Sequence, residues 1–140
     1  MANVIYNNFK AKIMDGSIDL DTDTIKVALV TSSYTPDADT HDFFDDVTNE
    51  VSGTGYTAGG AEITSLAVTV DTTDDEGVFD GADVTWATST ITAAGAVIYK
   101  DSGASTTSPL ICYFDFGGDK TSSAGNFVVS WNAEGILNLG

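Results

Sequence analysis

Three groups of carboxylates lie close enough together in the chain to hold a cation. Asp19, Asp21 and Asp23 sit two apart, as at the start of an EF-hand calcium loop. That loop then needs Gly at its sixth position and Glu at its twelfth, where this chain has Thr24 and Val30. Asp37, Asp39, Asp42, Asp45 and Asp46 form a second group, and Asp71, Asp74, Asp75 and Glu76 a third. All three read as solvated turns, with Asp19, Asp21 and Asp23 as weak calcium candidates and no resident metal expected. Glycoside hydrolysis needs two carboxyl groups held roughly 5–9.5 Å apart with one of them kept protonated. Among twenty-one carboxylates no pair stands out for that role.

Other chemistry is thinner still. His41 is the single histidine and has no G-x-S-x-G elbow to serve as base. Cys112 is the single cysteine, set in the apolar run Leu110-Ile111-Cys112-Tyr113-Phe114, which predicts a buried, inert thiol and excludes an intrachain disulfide. Gly53-x-Gly55-x-x-Ala58 matches a dinucleotide fingerprint as a string. The fingerprint works only between a strand and a helix whose N-terminus meets the pyrophosphate, and here an acidic segment precedes and a strand pattern follows. Gly118-Asp119-Lys120-Thr121 imitates the end of a P-loop but lacks its earlier glycines and would set an aspartate against the phosphate. No catalytic residue and no cofactor is expected, and the chain does not read as an enzyme.

The elements that would position these residues are mostly strands. Ile5, Phe9 and Ile13 recur four apart before Gly16, which predicts an N-terminal helix with a glycine C-cap. Thr24 to Thr31 reads as a strand, with Ile25, Val27 and Leu29 on one face and Lys26, Ala28 and Val30 on the other. Phe43, Phe44, Val47 and Val51 follow helical spacing, so a short acidic helix is expected from about His41 to Asn49 with Thr40 as its N-cap. A glycine-rich loop covers 53–60. Further strands are expected at Ile63–Val70, Gly77–Phe79 running toward Val84–Ala87, Ile91–Lys100, Pro109–Phe116, Asn126–Trp131 and Gly135–Asn138. Turn residues separate them at Asp74–Gly77, Asp80-Gly81, Asp101–Gly103 and Gly117–Asp119. The fold class is therefore mainly β with one or two short helices, an antiparallel β-sandwich or barrel. No linker or repeat divides residues 1–140, which read as a single domain.

Charge limits the partners. The chain carries twenty-one carboxylates, seventeen of them Asp, against five lysines and no arginine, a formal net charge of −16. Such a surface repels nucleic acid and anionic lipid, and the bidentate grip of arginine on phosphate is missing. No apolar stretch approaches a membrane span, and residues 1–16 lack the basic-then-apolar pattern of a Sec leader, so synthesis in a cytoplasm is expected.

The phrases Asp21–Pro36, Asp45–Gly60, Asp83-Val-Thr-Trp86, Ala96-Val-Ile-Tyr-Lys100, Ser108–Phe116 and Phe127-Val-Val-Ser-Trp131 span nearly the whole chain. In them it resembles small virion-associated structural proteins of tailed bacteriophages. The resemblance implies a virion component and brings no catalytic motif. Packaged DNA repels carboxylates, so the charge favours the outside of a particle, and a small β-rich chain without coiled-coil heptads suits capsid decoration. The implied partners are the major capsid protein or other virion proteins, with a homo-oligomer as one option. The alternatives are a tail, neck or head-fibre-base component, or a glycan-binding module on the particle surface. Contacts are expected in the first twenty residues and in 32–60, where Tyr34, Phe43, Phe44 and Tyr56 are the interface candidates. A glycan module would need an exposed aromatic beside a carboxylate, with Trp86 and Asp83 as its candidates.

Overall fold

The computed structural model describes residues 2–140. Two layers of antiparallel strands pack face to face as a β-sandwich and do not close into a barrel. The chain opens with β1 (Val4–Ile5), helix α1 (Asn7–Met14) and β2 (Ile25–Val30), then crosses 31–60 to the short β3 (Ala61–Glu62). β4 (Ala67–Asp71), β5 (Glu76–Asp80) and β6 (Val84–Ser89) follow. The two long strands are β7 (Thr92–Lys100) and β8 (Leu110–Thr121); β9 (Gly125–Val129) and β10 (Leu137–Leu139) close the chain. One layer is a five-stranded sheet ordered β1-β8-β7-β2-β3; opposite it lie the β6-β9 pair and a three-stranded sheet ordered β10-β5-β4.

The five-stranded sheet is buried on both faces, which is why its strands read as almost unbroken apolar runs. Ile25, Val27, Leu29, Ala96 and Ile98 point into the inter-sheet core, where they meet Phe79, Trp86, Phe127, Val129 and Ile136 from the other layer. Ala28, Val30, Val97, Tyr99, Leu110 and Tyr113 form a second core on the outer face, covered by Tyr6, Tyr34, Phe44 and Val47. Ile111 is an extra residue between Leu110, opposite Tyr99, and Cys112, opposite Ile98. The bulge lets both Ile111 and Cys112 face the inter-sheet core.

Several elements differ from expectation for identifiable reasons. Helix α1 starts at Asn7, because Ile5 is drawn into β1 opposite Cys112 and the Tyr6 N–H donates to the Ile111 carbonyl. Its end follows the sequence: Gly16 takes φ +80°, and the Ser17 N–H closes back on the Lys12 carbonyl at 2.9 Å. The acidic helix expected over His41–Asn49 is a single 3₁₀ turn, Phe44–Asp46, capped at Phe43 and not at Thr40. Both flanks are held extended, Phe43 bridging to Pro109 and Glu50 to Val30, so no further turn forms. The expected turn at Gly117–Asp119 lies inside β8 as a bulge, with Gly95 opposite Asp115 and Ala93 opposite Lys120.

The glycine-rich stretch 53–60 is packed rather than loose. A Cβ on Gly60 would overlap the Val27 carbonyl, and one on Gly55 would stand 2.8 Å from the Ser89 Cα. These glycines serve close backbone approach to β2 and β6, which leaves no cradle for a pyrophosphate.

Candidate functional site

Of the four aromatic interface candidates, Tyr34 is enclosed, against the expectation of a displayed ring, and Phe43, Phe44 and Tyr56 are half-buried. Tyr34 is buried, and its hydroxyl meets Tyr6 Oη at 2.8 Å and His41 Nδ1 at 3.0 Å. His41 Nδ1 also accepts the Asp37 N–H at 3.3 Å, so in the neutral ring the proton sits on Nε2 and Tyr34 donates to Nδ1. Burial pushes both phenols above the ordinary tyrosine range. Phe44 is half-buried and stacks on Tyr99 with ring centroids 4.1 Å apart. Phe43 is half-buried beneath the Lys12 ammonium, 5.7 Å from the ring centre. Tyr56 is half-buried too; its hydroxyl donates to Glu50 Oε2 at 2.6 Å and accepts the Leu29 N–H at 3.0 Å. Burial, then the Glu50 carboxylate, raise its pKa.

The glycan candidates are also corrected. Trp86 is buried between Tyr56 and Phe127, with centroids 5.8 Å and 6.3 Å away, so its face meets protein and offers no platform to a sugar. Asp83 is exposed, and its Oδ1 accepts the Trp131 N–H at 3.1 Å. The half-exposed indole is that of Trp131, tilted against Phe114 and donating to the Ala82 carbonyl at 2.9 Å.

The calcium candidates do not converge. Asp23 is committed to the Lys100 ammonium at 2.9 Å and to the Asp19 N–H at 2.8 Å. Asp19 and Asp21 lie on the exposed outside of the turn, where a hydrogen bond between their carboxyl groups holds Asp19 below and Asp21 above the usual carboxylate range. The second acidic group caps turns: Asp37 Oδ1 accepts the Asp39 and Thr40 N–H groups, and Asp46 Oδ2 those of Asp42 and Phe43. Among the described residues one set of carboxylates does converge. Asp71, Asp74, Glu76 and Glu134 place oxygens within 4.8 Å of one another. Their chemistry suits a hard divalent cation or a cationic side chain. Glu134 escaped sequence reasoning because it lies far along the chain and is delivered by the turn before β10.

Cys112 is fully buried and its thiol pKa is raised by that burial, so it is no nucleophile. A groove of about 490 Å³ runs between β8 and β9 past Phe116, Lys120, Phe127 and Val129. No helix among the described residues is long and apolar enough to cross a membrane.

The β10-β5-β4 sheet presents a further open surface. Directly opposed residues of an antiparallel sheet share a face. Val68, Phe79 and Leu137 therefore form one row, and Val70, Gly77 and Leu139 the next. Phe79 and Leu137 are buried in the core, but the second row runs off its edge: Val70 is 80% exposed, Leu139 53%, and Val68 in the first row 51%. Gly77 supplies no side chain between Val70 and Leu139. The opposite face carries the Asp71–Glu76 and Ala67–Asp80 pairs. No protein-family model, curated protein or solved structure matches the chain.

Proposed function

We propose that the chain is a structural component of a tailed-bacteriophage virion, a capsid decoration (cement) protein on the outer surface of the major capsid lattice. It would be made in the host cytoplasm and act through non-covalent contacts, without a chemical step. The observation that carries the reading is the charge: −16 with no arginine, on a β-sandwich. Two of the five lysines are already held in ion pairs, Lys26 with Asp101 at 2.7 Å and Lys100 with Asp23. Such a body is repelled by packaged nucleic acid and tolerated at an outer surface, where like charge also keeps particles apart. The phage-like phrases of the sequence support the same assignment.

Immunogold electron microscopy of purified particles from the source phage, with antibody against this chain, tests the reading. Label spread over the head is the expected result. Label confined to the tail or neck replaces decoration with a tail or head-fibre-base role, and unlabelled particles overturn the virion assignment.

A further inference from the structure

We propose that the free edge of β4 is a docking site for an extended segment of another protein in which apolar residues alternate with lysine or arginine. The proposal stands on this surface alone and does not require the virion reading. Three observations carry it. β4 ends the β10-β5-β4 sheet, so one row of its backbone N–H and C=O groups has no strand partner. Natural edges are usually guarded by lysine, proline or a bulge; Ala67–Asp71 contains no lysine or proline, and its register with β5 is unbroken.

The apolar side is the second observation. Of the five large apolar side chains exposed on the described surface, Val68, Val70 and Leu139 share one face of this sheet. An added strand would bring its own apolar residues, two apart, beside Val68 and Val70.

Charge selects the occupant. The other face carries Asp71, Glu76 and Asp80, with Asp74 and Glu134 close by, and the sequence contains no lysine between Lys26 and Lys100. The residues of an added strand that alternate with its apolar ones project onto this anionic face, so they must be cationic. A second copy of this chain is disfavoured, because pairing through its own β4 would set Asp71 and the carboxylates of its β5 and adjoining turns against the same acidic sheet. An alternating apolar and basic strand satisfies the edge, the apolar face and the charge together.

Fluorescence anisotropy with a labelled seven-residue peptide of alternating lysine and valine tests the proposal. The expected result is saturable binding that weakens at least tenfold with Val70→Lys protein, whose exposed site leaves folding intact by circular dichroism. A peptide with glutamate in place of lysine should not bind. Nor should the lysine peptide methylated on every backbone amide, which keeps its charge but donates no backbone hydrogen bond. Equal binding of the methylated peptide would reduce the effect to charge adsorption and overturn edge pairing. So would failure of the unmodified peptide to bind, or sedimentation of the protein alone as a dimer that Val70→Lys dissociates.

Discussion

The five-stranded sheet and the β10-β5-β4 sheet are built from the same antiparallel pairing, yet they differ in what covers them. β2 and β7 are buried on both faces, between the inter-sheet core and the Tyr6–Tyr34–Tyr99 layer. β4 is exposed along nearly its whole length, on both faces and at one edge. The titratable groups divide in the same way. All five tyrosines and Cys112 belong to the five-stranded sheet and its covers, while the convergent carboxylates Asp71, Asp74, Glu76 and Glu134 gather at the smaller sheet. One region is specified by exclusion of water, and the other keeps its polar and apolar groups available. Burial and exposure are therefore assigned to different strands.

Alkali should separate the two regions most strongly. Tyr6, Tyr34, Tyr56, Tyr99, Tyr113 and Cys112 all have pKa values raised, first of all by burial. Groups raised in the folded state contribute stability that is complete below their unfolded pKa values, about 8.5 for Cys and 10 for Tyr. Above those values the unfolded chain releases protons that the fold retains, and stability falls. Tyrosinate absorbance should therefore appear together with loss of the near-ultraviolet circular dichroism, in one cooperative step above pH ~10. Early, non-cooperative ionisation of several tyrosines would show that the outer core is open.

Substitution gives the next largest contrast. Trp86→Ala empties a buried site between Tyr56 and Phe127 and should cost about 3–5 kcal/mol in urea denaturation. Val70→Ala, on the exposed strand, should stay within about 0.5 kcal/mol. A loss at Val70 approaching that at Trp86 would mean that the smaller sheet is part of the cooperative core.

The smallest expected effect lies at a strained position of the body. Thr88 is β-branched and holds φ +51° at the irregularity between Trp86 and Ser89 of β6. Thr88→Gly should raise stability by roughly 0.5–1 kcal/mol, the relief of strain exceeding the extra freedom of glycine in the unfolded chain. A fall in the urea midpoint would show instead that the Thr88 side chain fixes the bulge.

Much of the body was legible because burial on both faces writes itself as apolar runs with glycine and aspartate between them. Ile25–Val30, Thr92–Lys100 and Leu110–Phe114 were visible for that reason, and the Gly16 cap because only a left-handed residue closes the helix there. The acidic helix misled because Phe43, Phe44 and Val47 keep helical spacing while Phe43 bridges to Pro109, the Phe44 N–H donates to the Ser108 carbonyl and the Asp42 carbonyl accepts the Leu110 N–H. Tyr34 misled in another way. Residue type tells that an aromatic is valuable, but not whether its face meets protein or solvent.

The sequence by itself determined the mainly β class, the acidic and arginine-free surface, the inert cysteine and most strand positions. These follow from composition and from a period-two pattern, both of which are local. Tertiary structure alone decided that Glu134 joins Asp71, Asp74 and Glu76, and that Val68, Val70 and Leu139 share an open face while Trp86 is enclosed. Those relations depend on strand order and on which edge is left without a neighbour. Strand order is set by contacts between residues far apart in the chain, and no local pattern encodes them.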